Sequence, residues 1–220
     1  MRAVKPLVGS QLEHKVVKQL ETTVGGALPN LPAITAMAVV ATLNRGDPLP
    51  GGNQPMMWWV WEGTLSSQFD LAERTHIAGF LETGDIFIST FPRELGELLG
   101  LSTAHPVYDS PLVQARKRGV ALERARLVGV GLGLITDFAR RHANWQALLN
   151  ISVLRLMTFH MNREYQFLTM NAEQRYLAFL EEFPRAASLV SQRQAANYLG
   201  LTAVGLNRVV SRLRREGRHP

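Results

Sequence analysis

Ser191-Gln192-Arg193-Gln194-Ala195-Ala196-Asn197-Tyr198-Leu199-Gly200-Leu201-Thr202-Ala203-Val204-Gly205-Leu206-Asn207-Arg208-Val209-Val210 has the spacing of two short helices joined by a sharp turn. Helices that cross closely need a small residue at the crossing, and Ala196 supplies it. The turn four residues later needs a residue that tolerates positive φ, and Gly200 stands there. Ala195, Leu199, Leu201, Leu206 and Val209 fall on the faces that two such helices bury. Ser191 with Gln194 three residues on reads as a capping box for the first helix, and Thr202 caps the second. The spacing predicts a DNA-reading helix-turn-helix; an ordinary helical hairpin is the alternative, because alanine and glycine are common residues.

Charge supports the first reading independently. Arg185, Arg193, Arg208, Arg212, Arg214, Arg215 and Arg218 face a single acid, Glu216, so this end carries the whole formal net charge of +6. A basic balance confined to one end points to a polyanionic partner there, bound with strong salt dependence.

Two hundred and twenty residues leave room for one large or two small domains with real cores. The longest apolar stretch, Leu127 to Ile135, is too short to span a bilayer, and the N-terminus carries no secretory or transit pattern. A cytoplasmic protein with no membrane partner is expected. Cysteine is absent, which removes disulfides, thiolate metal sites and thiol redox switches together.

Up to about Thr42 the chain reads as helices around a break at Gly25-Gly26-Ala27-Leu28-Pro29. From Leu43 to Ile135 short runs such as Met57-Trp58-Trp59-Val60-Trp61 and Ile86-Phe87-Ile88 alternate with turn signals, which argues for a β-sandwich or barrel. A Gly-Asp pair occurs at Gly46-Asp47 and again at Gly84-Asp85, suited to the corners of a β-roll. Beyond Thr136 the pattern is helical. Ala147, Ile151, Leu154, Thr158, Met161, Tyr165 and Leu168 are spaced alternately four and three residues apart, a heptad seam that predicts a dimer interface. Asn171-Ala172-Glu173-Gln174 starts a fresh helix after it. The division expected is 1–143 for a sensor-like domain, 144–170 for a dimerisation helix and 171–220 for a DNA-binding domain.

This order of parts resembles the Crp/Fnr family of bacterial regulators. The resemblance rests on Leu43-Asn44-Arg45-Gly46-Asp47-Pro48-Leu49, Met57 to Gly63 and Gly79 to Asp85 as successive strands with corner glycines. It rests further on Glu173 to Pro184 as the lead-in helix and on the reading head itself. It implies an α+β fold: a cyclic-nucleotide-binding-like β-roll (a double-stranded β-helix) with flanking helices, a long dimerisation helix and a C-terminal helix-turn-helix. It also implies a homodimer that binds a pseudo-palindromic double-stranded DNA operator, contacts RNA polymerase and answers to a small-molecule effector. By the same resemblance Ser191, Gln192 and Arg193 touch phosphates, while Ala203, Val204, Asn207 and Arg208 face base edges beyond the cap Thr202. Arg208 is the candidate for a bidentate guanine contact. Ala203 and Val204 stand where well-known members carry charge, so the operator is expected to differ from the usual consensus. Little chain follows the reading helix, which leaves no length for a β-hairpin wing; Arg212, Arg214, Arg215 and Arg218 are expected to replace it as phosphate anchors.

The family's ligand cassette needs a Gly-Glu for the ribose and an Arg-Ser or Arg-Thr for the cyclic phosphate. Gly96-Glu97 imitates the first half. In the second half Asp109 falls where the arginine belongs, beside Ser110, and a carboxylate repels a phosphate. Cyclic AMP or cyclic GMP is therefore not expected as a cofactor. Arg93 or the run Arg116-Lys117-Arg118 offers charge for a different anion, although such a run is usually a solvated face. Thr158 occupies the seam position at which relatives place an effector contact. Relatives that bind haem use a histidine near His76, while His76, His105, His142 and His160 show no metal-ligand spacing of their own. Val128 to Leu134 alternates glycine as a dinucleotide loop does, but lacks the last glycine. A cupin-like β-barrel enzyme with a helical appendage is the alternative from another class, and it lacks the His-x-His such chemistry uses. A protein-interaction module is the third.

Overall fold

The computed structural model describes residues 3–51, 55–71, 74–88, 93–98, 100–102, 104–110 and 117–218. Its first part is a β-roll of two antiparallel sheets. Strands β1 (Ala3–Pro6), β2 (Val39–Leu43), β3 (Met56–Glu62), β6 (Ile86–Ile88) and β8 (Ala125–Gly131) form one sheet in the order β1-β2-β8-β3-β6. Strands β4 (Leu65–Leu71), β5 (Arg74–Leu81) and β7 (Lys117–Ala121) form the other in the order β5-β4-β7. Leu43, Val60, Leu65 and Leu127 are wholly enclosed between them.

The aromatic run of β3 is continuous because both of its faces are covered. Trp58 and Val60 point into the roll, whereas Trp59 and Trp61 pack outward beside α1 (Glu13–Val24). Opposite Trp58 in the register stands Gly129, where a Cβ would lie 2.5 Å from the indole. The alternating glycines of β8 therefore serve strand packing. The repeated Gly-Asp pair builds the same corner twice. Gly46 and Gly84 take φ of 87° and 96°, and the next carboxylate accepts the N–H three residues back: Asn44 to Asp47 at 2.9 Å, Glu82 to Asp85 at 2.8 Å.

The opening differs from the helical reading. Helix α1 and helix α2 (Leu31–Met37) are present, but Ala3–Pro6 and Val39–Leu43 are strands, because both belong to the sheet completed by β8, far along the chain. Helix α3 (Arg93–Leu98) and a 3-10 turn over Pro106–Asp109 lie between β6 and β7. After β8, α4 (Leu132–Arg141) begins four residues before the expected Thr136. Helix α5 (Ala143–Thr169) follows, its 27 residues spanning about 40 Å. Its first turns are anchored by buried Trp145, Leu148, Leu149 and Ser152, with the Trp145 indole donating to the Pro29 carbonyl at 2.8 Å.

Four helices complete the chain: α6 (Ala172–Glu182), α7 (Pro184–Leu189), α8 (Gln192–Leu199) and α9 (Ala203–Arg215). Asn171 and Ser191 each form a full capping box, with Gln174 and Gln194 respectively, and the Thr202 hydroxyl accepts the Gly205 N–H at 3.0 Å. Each cap stabilises its helix by about 1 kcal/mol. Their local core is Tyr176, Phe179, Phe183, Ala195, Ala196, Tyr198, Leu199, Leu206, Val209, Val210 and Leu213.

Candidate nucleic-acid interface

Helix α9 is sharply two-sided. Leu206, Val209, Val210 and Leu213 are buried, while Thr202, Ala203, Val204, Asn207 and Arg208 are exposed along the other side. The left-handed Gly200 (φ 67°) ends α8 and sets this face, and a Cβ on it would meet the Phe167 ring at 2.8 Å. Ser191, Gln192 and Arg193 are exposed at the start of α8. The segments 192–199 and 203–215 that carry these faces contain no acidic residue. Among the described residues Arg193, Arg208 and Arg215 make no ion pair, and Arg214 lies near the Tyr176 phenol. Arg212 pairs with one oxygen of Glu173 and Arg218 with the other, and that glutamate's side chain is only 12% exposed.

These helices pack against the roll. Phe80 of β5 stacks among Phe179, Phe183 and Tyr198 at centroid distances of 4.9–5.6 Å. The Asn197 side chain caps the outer edge of β5: its Oδ1 accepts the Ile77 N–H at 2.7 Å and its Nδ2 donates to the Thr75 carbonyl at 3.0 Å. Glu82 accepts the Ala186 N–H at 3.2 Å, and Glu123 binds Arg185 through both oxygens. That guanidinium holds the Glu123 carboxyl below the usual range, against the opposing effect of burial. Arg163 of α5 ties three parts together. It donates to the carbonyls of Tyr198 (2.8 Å) and Ile77 (3.5 Å) and lies 4.2 Å above the Tyr198 ring.

Along α5 the heptad positions change character. Ala147 and Ile151 are half-buried on the roll; Thr158 is exposed, and Leu154, Met161, Tyr165 and Leu168 are 58%, 59%, 59% and 78% exposed. Met157 lies beside this stripe and is likewise exposed among the described residues.

A cavity of about 1100 Å³ opens between α5 and the β4–β5–β6 side of the roll. Thr158 lines it, whereas Gly96, Glu97, Asp109 and Ser110 do not. Glu97 on α3 turns toward Arg140 (3.7 Å), and Gly96 is pressed on Tyr108. Asp109 ends the 3-10 turn over Pro106–Asp109. Residues 111–116, including Arg116, and the side chain of Arg93 lie outside the described parts. Sequence reading missed the groups that do line it: Lys117, His160 and Arg163, together with Asn197. In the sequence Lys117 reads as a member of the basic run, His160 as an isolated histidine and Asn197 as a helix position. Burial lowers the pKa of Lys117, which lies 5.2 Å from the Phe69 ring. His76 is exposed on β5 beside exposed Thr75 and Arg74, and it lines the same cavity.

No family model and no curated protein matches the sequence. Solved structures match the fold. FixK2 from Bradyrhizobium japonicum aligns over 82% of this chain and 86% of its own, with a TM-score of 0.61 and 20% identity. A protein described as a transcriptional regulator of the Crp/Fnr family from Eubacterium rectale aligns over 94% and 88%, with a TM-score of 0.63 and 13% identity. The c-di-GMP-responsive global regulator CLP of Xanthomonas campestris aligns over 83% and 89%, with a TM-score of 0.56 and 12% identity. The chain has the fold of the Crp/Fnr regulators.

Proposed function

We propose that this chain is a transcription regulator that reads a pseudo-palindromic DNA operator as a homodimer. The observation that carries the reading is α9, which buries one apolar side and presents Ala203, Val204, Asn207 and Arg208 on the other. Arg208 reads guanine, and Ala203 and Val204 offer apolar contact to thymine methyls. Arg193, Arg214 and Arg215 supply phosphate contacts that position the head without reading sequence. In the working dimer the stripe from Leu154 to Leu168 meets its copy, which sets two reading helices one helical turn apart. Residues 1–143 are then the sensing unit, 144–170 the seam and 171–220 the reading head. Cyclic AMP is not its signal in this reading, since the cassette positions lie off the cavity.

The test is selection from randomised duplexes at near-physiological salt, with the retained pool sequenced. A two-fold symmetric motif with half-sites one turn apart supports the reading. A pool that stays random, both alone and with cell extract added as an effector source, refutes it.

A further inference from the structure

We propose that the roll grips the reading head directly, its two Gly-Asp corners closing on the two ends of α7, with Arg45 and Glu82 as the positioning residues for DNA reading. The use of this grip rests on the regulator reading, and the grip itself rests on the corner geometry alone.

The corners match bond for bond. In the first, the Gly46 N–H donates to the Ala121 carbonyl at 2.8 Å and the Ala121 N–H donates to the Asp47 carbonyl at 2.9 Å. In the second, the Gly84 N–H donates to the Val60 carbonyl and the Val60 N–H to the Asp85 carbonyl, both at 2.9 Å. Ala121 and Val60 are buried in the roll, so neither corner shifts without breaking bonds to a core strand. Each corner then presents one side chain to α7, and the two are opposite in kind. Arg45 Nη2 donates to the Leu189 carbonyl at 3.1 Å, and Glu82 Oε1 accepts the Ala186 N–H at 3.2 Å. A helix of six residues leaves most of its end groups without partners inside it, and here a donor meets the carbonyl end and an acceptor the N–H end. Glu123 adds a third hold through Arg185 and is itself fixed by the Thr64 hydroxyl at 2.9 Å.

Between α5 and α6 stand only Met170 and Asn171, both extended, so the backbone alone lets the head turn about that link. Asn197 and Arg163 attach the head at α8. One attachment leaves rotation about itself, and the second, at α7, removes it. The second corner also ties the head to the seam helix. Asp85 Oδ2 accepts the Glu82 N–H while its Oδ1 faces Arg155 of α5 at 3.7 Å. The grip orients the head without hiding it, since Ala203, Val204, Asn207 and Arg208 are exposed while α7 is held. In a dimer two heads held this way have one spacing, and the ordering cost of meeting two half-sites is met before DNA arrives.

The test compares two forms of the full chain with wild type: Arg45→Ala with Glu82→Ala, and the conservative pair Arg45→Lys with Glu82→Gln, which keeps a donor and an acceptor. Arg45 is exposed and Glu82 half-buried, so alanine at either opens no core cavity. Amide exchange is read at Ile77, whose N–H is bonded to Asn197 of the head and to neither substituted residue. Exchange there is expected to accelerate about fivefold or more in the alanine pair, the scale of one hydrogen bond lost, and to stay near the wild-type rate in the conservative pair. Unchanged exchange in the alanine pair, or equal acceleration in both pairs, overturns the proposal. In the duplex selection the alanine pair is expected to retain the wild-type half-site with its spacing spread over several lengths. A single retained spacing, or tighter operator binding than wild type, also overturns it. The exchange readout uses no DNA, so a failed grip is distinguished from a failed regulator reading, in which the wild-type pool itself stays random.

Discussion

Replacing Asn197 by alanine tests how firmly the reading head is held on the roll. β5 is the outer strand of its sheet, so its outward N–H and C=O groups need partners from elsewhere. The Asn197 amide supplies both, at 2.7 Å to Ile77 and 3.0 Å to Thr75. Each such bond contributes a net of about 0.5–1.5 kcal/mol, and Asn197 is itself exposed, so water can partly replace it. The loss is therefore about 1–2 kcal/mol, or roughly 5- to 30-fold in the ratio of docked to released heads. The Phe80–Phe179–Phe183 contacts remain, so head and roll stay folded. The assay is amide hydrogen exchange read at Ile77, whose N–H depends on Asn197. Exchange there is expected to accelerate by that factor, while amides within β3 and β8 are unchanged. Asn197→Asp keeps an acceptor for Ile77 and loses the donor to Thr75, so it should retain most of the Ile77 protection. If Ile77 exchanges at the same rate in wild type and Asn197→Ala, the contact does not hold the head.

Met161→Asp on α5 is expected to give monomers by sedimentation equilibrium at micromolar concentration. A symmetric seam loses the side chain twice, at about 1.5–3 kcal/mol each, so dimers weaken by about 10² to 10⁴-fold; dimers that persist unchanged exclude this stripe as the interface. Arg208→Ala should cost about 1–3 kcal/mol on the selected operator and relax choice at a single base pair, whereas Arg215→Ala should weaken all duplexes alike; the opposite pattern in competitive binding would reverse the two roles. Glu123 has a depressed pKa in the fold, so its contribution is complete above the ordinary glutamate range and is lost as pH falls through the depressed value. Thermal melts from neutral to acid pH should therefore decline more steeply for wild type than for Glu123→Gln, and parallel curves would remove this pair from the account.

The helix-turn-helix was legible because its determinants are local. Ser191 with Gln194, Gly200 and Thr202 act within a few residues of themselves, and each takes the conformation its type favours. The corners at Gly46-Asp47 and Gly84-Asp85 were legible for the same reason. What escaped depends on distant partners. β1 and β2 read as part of a helical opening because strand pairing with β8 has no signature within either segment. Lys117 and Arg118 look alike in a basic run, yet neighbouring residues on a strand face opposite ways: Arg118 meets Asp70 outside, and Lys117 enters the cavity. Asn197 reads as an ordinary polar position on a short helix, and only the approach of β5, over a hundred residues earlier, gives it work.

Glu173 has a further consequence for how the head meets a polyanion. Affinity for DNA falls with salt in proportion to the cations displaced from the duplex, each neutralised phosphate adding about 0.9 to the logarithmic slope. In the proposed complex Arg212 and Arg218 share the single carboxylate of Glu173, so a phosphate that meets either arginine competes with that common counterion. In that reading the basic end is expected to show a salt slope shallower than its count of arginines implies.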